Sequence, residues 1–196
     1  MRLILASASP RRAALLGAAG YRFEVLAVEV DERARGGESA PAYVRRLAME
    51  KSAAAHGRLG SDAAGLPLIL GADTAVVVDG GILGKPRDDA ESAWMLRRLS
   101  GRPHEVLTGL SLRRGRTELG GVITTVVHVA RLSETDIGWY VATGEGRDKA
   151  GGYGIQGLAS RFIPRIDGSY TNVVGLPIAE AAELIGRLSG AEREEV

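Results

Sequence analysis

An α/β fold built on a mixed β-sheet is what this 196-residue chain predicts, and three observations carry that reading. Short apolar runs suited to buried strands alternate with segments bearing helix-start and helix-stop signals. Strands and helices follow one another without strict βαβ repetition, so parallel and antiparallel pairs are both needed. Hydrophobic residues make up 45% of the chain, enough to fill a substantial core at this length.

Arg2 to Ala6 reads as a short buried strand. Ser9 followed by Pro10 places an N-cap before a proline at the first helical position, and Gly20 stops that helix after about Ala19. Phe23 to Val28 reads as a second strand. Pro41 to Gly57 reads as a helix with Val44, Leu47 and Ala48 on one face. The most apolar stretch, LPLILGADTAVVVDGG, predicts a central strand interrupted at Gly71–Asp73, with Asp79-Gly80 as a hairpin turn. Asp88 to Leu99 is an amphipathic helix with acids in its first turn. HEVLTGLSLRRG and GVITTVVHVARL are β-rich and expected to pair. Ser133 with Asp136 three residues on forms a capping box. A glycine-rich segment, Gly144 to Gly157, follows, and the chain closes with a β-like stretch, the turn around Ser169–Asn172 and a helix from about Ile178 to Leu188.

Basic residues number 25 and acidic residues 24, so no global field recruits nucleic acid or an anionic membrane. Aromatic residues are 5% of the chain, too few for a base-stacking platform. An anionic ligand must therefore be held by a local cluster. The chain has no cysteine, which excludes disulfides, thiolate nucleophiles and Cys-type zinc sites and fits a reducing cytosol. The opening MRLILASA has too short an apolar run for a signal peptide, and no stretch reaches membrane-spanning length. A cytoplasmic protein is expected.

Lysine is rare in this arginine-rich chain, at Lys51, Lys85 and Lys149, and Gln156 and Asn172 are its sole amides. Where arginine is the default cation, lysine marks a place for a compact ammonium rather than a planar fork. These residues fall in or beside unusual motifs. LASASPRR runs a strand into a serine-rich turn and a helix N-terminus, where N–H groups and the helix dipole favour an anion. Ser7, Ser9, Arg11 and Arg12 supply its donors. Asp73, in Gly-Ala-Asp-Thr74, places an acid in the most apolar strand and needs a partner or a metal. Lys85 sits in Gly-Lys-Pro, Lys149 and Gln156 in DKAGGYGIQG, and Asn172 in GSYTNVVGLP. Two superficial matches fail. GYGIQG lacks the strand before it and the acid after it that dinucleotide binding requires, and GGILGKP has proline where a P-loop has Ser or Thr. His56, His104 and His128 have no zinc spacing.

The ordered segments LASASPRR, GADTAVV, GKP, HEVLTG, DKAGGYGIQG and GSYTNVVGLP, spanning Leu3 to about Leu188, resemble the Maf family of nucleoside triphosphate pyrophosphatases. That resemblance implies one Maf-like domain over residues 1–196, an elongated mixed sheet flanked by helices like that of inosine triphosphatases, and an active-site cleft between two lobes. It implies hydrolysis between the α and β phosphates, a divalent metal (Mg or Mn), a nucleoside triphosphate as partner and a homodimer. It casts Asp73 as the base that activates water; because a metal lowers the pKa of its bound water, Asp73 is read as part ligand and part base, with Glu32 in VDER as a second metal-ligand candidate. Ser7, Ser9, Arg11, Arg12, Lys51, Thr74, Lys85, Lys149 and Gln156 would hold substrate. Arg11, Thr74 and Gln156 resemble the branch acting on dTTP and UTP, whereas the 7-methyl-GTP branch reads Trp, Gln and Glu there. Glu145-Gly146-Arg147 departs from the family's Glu-Pro and would loosen that loop. The rival readings are a 7-methyl-GTP or CTP pyrophosphatase of the same family and a non-catalytic nucleotide-binding regulator of cell division. Asp73 separates enzyme from sensor, because an acid beside the phosphates opposes simple binding.

Overall fold

The computed structural model describes residues 2–60 and 66–190. In chain order its elements are β1 (Leu3–Leu5), α1 (Pro10–Ala18), β2 (Glu24–Val25), α2 (Ala40–Leu59), β3 (Leu68–Val78), β4 (Gly81–Leu83) and α3 (Asp89–Leu99). There follow β5 (Pro103–Arg114), β6 (Thr117–His128), α4 (Glu134–Thr143), β7 (Arg165–Asp167), α5 (Tyr170–Val174) and α6 (Ile178–Ser189). The strands make one seven-stranded sheet in the order β2-β1-β3-β5-β6-β7, with β4 added to β3. β1 pairs in parallel with β2 and with Leu68–Leu70 of β3, whereas β4 pairs antiparallel with Val76–Val78 and β7 antiparallel with β6. The expected mixed α/β class is therefore what the chain adopts.

The chain divides into two compact units, one from residues 1–73, 108–123 and 175–196, the other from residues 74–107 and 124–174. In the first unit, β1 is buried on both faces. Leu3 and Leu5 join Leu16 of α1 and Ala181 and Ile185 of α6, while Ile4 and Ala6 join Ala55 of α2 and Ile69. Burial on both faces explains why the run is continuously apolar rather than alternating. In the second unit, Val76 and Val78 of β3 pack with Met95, Leu96 and Leu99 of α3 and Tyr140 of α4.

Several local signals act as the sequence predicts. Asp88 caps α3 through Glu91 N at 2.8 Å, and the Ser133–Asp136 capping box opens α4. Asp79 and Gly80 turn at φ 53° and 73°, the left-handed geometry of a tight hairpin. Arg98 and Arg102 both donate to the Asp79 carboxylate, which anchors this turn.

Other elements differ from expectation. The second strand shrinks to Glu24–Val25, and the Ser169–Asn172 segment enters a short helix rather than an open turn. More telling, β3 runs unbroken through Gly71–Asp73. Gly71 is a point of close approach: a Cβ there would lie 2.3 Å from Ala48 O and 2.9 Å from Ser52 N of α2. On β5 a Cβ at Gly109 would lie 2.2 Å from Val44 O, one turn earlier on the same helix. Two glycines on two strands thus let α2 rest with its backbone against the sheet.

Gly109→Ala is expected to destabilise the protein by about 1–3 kcal/mol, because backbone rather than a flexible side chain blocks the added methyl. Gly57→Ala, on the same helix but in open space, is expected to stabilise it by up to about 1 kcal/mol through helix propensity. Urea denaturation of both variants checks the contrast, and equal effects would remove the tight seating of α2.

Candidate active site

In the first unit the sequence-selected residues gather around one ammonium group. Lys51, on α2, donates from Nζ to Asp73 Oδ1 at 2.6 Å and to Glu32 Oε1 at 2.8 Å. Asp73, on β3, and Lys51 are both only 8% exposed, so each carries a charge that the interior tolerates only because it is paired. The Glu32 side chain stays half exposed and reaches the pair from an irregular segment. Proximity of α2 to β3, set by Gly71, is what lets a lysine of average length meet an aspartate on the strand.

LASASPRR joins this cluster from β1 and α1. Arg12 is buried and donates from Nε to Gly175 O at 2.8 Å and from Nη1 to Ser7 Oγ at 3.2 Å. Burial pushes its guanidinium below the usual arginine value, and the nearby negative charge of Asp73 opposes that shift. Ser7 Oγ also accepts the Ser9 N–H at 3.2 Å. Ser9 occupies the N-cap position of α1, yet its hydroxyl makes no capping bond. The expected hydroxyl cap is therefore missing, and Ser7 orders the turn instead. Arg11 lies half-buried on the first turn of α1, and its charge is felt at Arg12.

The second unit holds Thr74, Lys85, Lys149 and Gln156. Thr74 is half-buried on β3. Gly151 N donates to Gly84 O at 3.0 Å, which stitches the Gly-Lys-Pro turn to the segment following Lys149. Lys85 is exposed and makes no ion pair among the described residues. Lys149 donates to Glu145 O at 2.5 Å and to Asp148 at 2.6 Å. Gln156 is exposed, and its amide makes no hydrogen bond among the described residues.

Sequence reasoning missed Glu145 as an organiser of this loop. Its carboxylate accepts Tyr140 OH at 2.8 Å, Leu158 N at 2.8 Å and Ala159 N at 3.4 Å, bracing the turn that displays Gln156. Nor does Glu145-Gly146-Arg147 loosen the loop. A Cβ at Gly146 would lie 2.0 Å from Gly152 O, and Arg147 pairs with Asp89 at 3.0 Å. In this chain glycine lets the backbone pack closely there. Asn172, singled out as the sole asparagine, is buried and donates to Val106 O and Thr125 Oγ1. Those bonds tie α5 to two strands.

Among the described residues no three His, Asp or Glu side chains form a metal cage. Asp73 and Glu32 instead meet at the Lys51 ammonium through one oxygen each, and the Glu32 side is open to solvent. That donor set fits magnesium or manganese, since magnesium commonly takes one or two carboxylates and fills its remaining positions with water and substrate phosphates. No helix among the described residues is long and apolar enough to cross a membrane.

Comparison with known proteins agrees with the pattern of motifs. The family model described as Maf-like protein matches residues 2–188. A Symbiobacterium thermophilum protein named dTTP/UTP pyrophosphatase is 52% identical over 184 residues, covering 94% of this chain and 92% of its own. Proteins of the same name from Anaeromyxobacter sp. and Escherichia coli O157:H7 are 50% and 46% identical, each over 95% of this chain and over 89% and 93% of their own. Among solved structures, the Staphylococcus aureus Ham1 protein matches with a TM-score of 0.46 and 16% identity over 66% of this chain and 72% of that one, too distant a likeness to inform the site. Matched from its first strand to its last helix, with relatives about half identical along nearly their whole length, the chain belongs to the Maf-like protein family.

Proposed function

We propose that this chain is an enzyme that hydrolyses dTTP and UTP between the α and β phosphates, releasing a nucleoside monophosphate and pyrophosphate. The name shared by its relatives at 46–52% identity supports the reaction and the substrates. The observation that carries the reading is the buried Asp73–Lys51 pair, joined by half-exposed Glu32, beside Arg12. Cations alone would bind a triphosphate better, so the buried acid serves chemistry rather than affinity.

Asp73 receives the proton of the attacking water. Lys51 holds the carboxylates of Asp73 and Glu32 in place and offsets their charge as the anionic substrate arrives. Arg12, with Arg11 and Ser7, holds phosphate oxygens at the start of α1, where N–H groups and the dipole add to the guanidinium forks. Lys85, Lys149, Ser9 and Thr74 are the further substrate contacts. Asp73 and Glu32 would hold a divalent metal, which would supply Lewis-acid charge and make water a better nucleophile. Gln156 reads the base. Uracil and thymine offer carbonyl, N–H and carbonyl along one edge, and an amide matches adjacent acceptor and donor where a carboxylate matches donors only. The protein works in the cytoplasm, as a homodimer.

A panel of nucleoside triphosphates assayed with and without magnesium and scored for pyrophosphate tests this reading. Orthophosphate as product, or turnover that persists in chelator, overturns it. Asp73→Asn is expected to lower turnover by about 10²-fold or more, while dTTP binding measured by calorimetry stays equal or tightens. Turnover within a few-fold of the parent would falsify the role of Asp73. Gln156→Glu is expected to depress dTTP turnover about tenfold, the effect of one lost polar match to the base. An unchanged nucleotide ranking in that variant removes Gln156 from base recognition.

A further inference from the structure

Glu32 lies within residues 26–39, a stretch with neither helix nor strand. Its position is nonetheless defined, because α2 grips three consecutive backbone carbonyls around it. Asp31 O accepts Arg46 Nη1 at 3.4 Å, Glu32 O accepts Tyr43 OH at 2.9 Å, and Arg33 O accepts Arg46 Nη2 at 3.2 Å. Arg46 is itself fixed. Its Nε and Nη2 donate to the two oxygens of Glu38 at 2.6 and 2.8 Å, and its Nη1 donates to Glu50 at 3.2 Å. Glu38 in turn accepts the Arg35 N–H at 3.1 Å, so the segment closes on the guanidinium from both sides.

Exposed ion pairs contribute little, but this one is forked, and the side chains of Arg46 and Glu38 are only 12% and 9% exposed. Tyr43, Arg46 and Glu50 follow the three-and-four spacing of one helix face, and Lys51 follows on the next turn of the same helix. The same helix therefore supplies the ammonium and fixes the acid that meets it.

We propose that Tyr43 and Arg46 are positioning residues, whose grip on the carbonyls of residues 31–33 sets the Glu32 backbone so that its carboxylate meets Lys51 beside Asp73. This rests on the reading that Glu32 serves the hydrolytic site. Donor and acceptor both stay in the required state. Burial, with the charges of Asp73 and Glu32, pushes the Tyr43 phenol up to about 12, and the hydrogen bonds from Arg46 hold the Glu38 carboxyl down to about 2. Lysine cannot replace this arginine, because one ammonium cannot span a carboxylate and two carbonyls in a plane.

The test compares Arg46→Met, Arg46→Lys and Tyr43→Phe, with Arg33→Met as the control, since among the described residues the Arg33 side chain pairs with exposed Asp31 alone. In Arg46→Met, kcat for dTTP is expected to fall about tenfold with KM little changed, and the magnesium concentration for half-maximal rate to rise about tenfold. Arg46→Lys should not restore either value, and Arg33→Met should match the parent. Hydrogen exchange of the substrate-free and metal-free protein supplies a reading independent of turnover. Amides of residues 33–38 should exchange about tenfold faster in Arg46→Met while those of β1 and β3 stay protected. Faster exchange confined to that segment supports the grip even if dTTP proves not to be the substrate. Unchanged exchange overturns the grip, and faster exchange with unchanged kcat and magnesium dependence overturns its service to the site. Should Arg46→Met fail to fold, Tyr43→Phe, which removes one hydroxyl without changing the packing, decides by the same two measurements.

Discussion

One ammonium group held between two carboxylates sets the layout of the first unit. Lys51 reaches Asp73 and Glu32 at once, and neither the lysine nor the aspartate could stay so buried without the other. That pairing requires α2 to rest its backbone on the sheet, and Gly71 and Gly109 make room for it. The glycines, the helix and the ion pair are thus one constraint expressed at three scales. A methyl group at either strand would lift the helix, and the lysine head group would move with it.

Much of this was legible in the sequence. The capping box at Ser133, the N-cap at Asp88 and the Asp79-Gly80 turn are local signals in which a few adjacent residues determine their own geometry. Asp73 was legible as an acid that needs a partner, because burial in an apolar strand demands one whatever the fold. Its partner was less so, since Lys51 lies 22 residues away and becomes a neighbour only through helix packing. Gly71 misled for the same reason. Glycine within a strand signals either a break or a close approach, and only the element lying above it distinguishes the two.

The second unit uses a carboxylate in another way. Among the described residues the Glu145 carboxylate forms no ion pair; it accepts a phenol and two backbone N–H groups and so folds a loop around itself. That economy suits a chain with a single glutamine to display, because the loop is held from beneath and the Gln156 amide remains outward. The arginine-rich composition has a parallel effect. Arg45, bound to Glu118 and to Leu110 O, ties α2 to β6 and β5, while Arg46, bound to Glu38 and to carbonyls, lets irregular chain be fastened without further regular structure.

The uncapped start of α1 bears on how this protein could be engineered. Ser9 stands where a hydroxyl would ordinarily satisfy a helix N–H, yet it forms no such bond. A routine thermostabilisation scheme would replace it with aspartate, a strong N-cap. Under the proposed function that gain in heat tolerance would place a fixed negative charge where the triphosphate must sit. Here melting temperature and turnover should trade against each other, and a stability screen run without substrate would select the wrong variant.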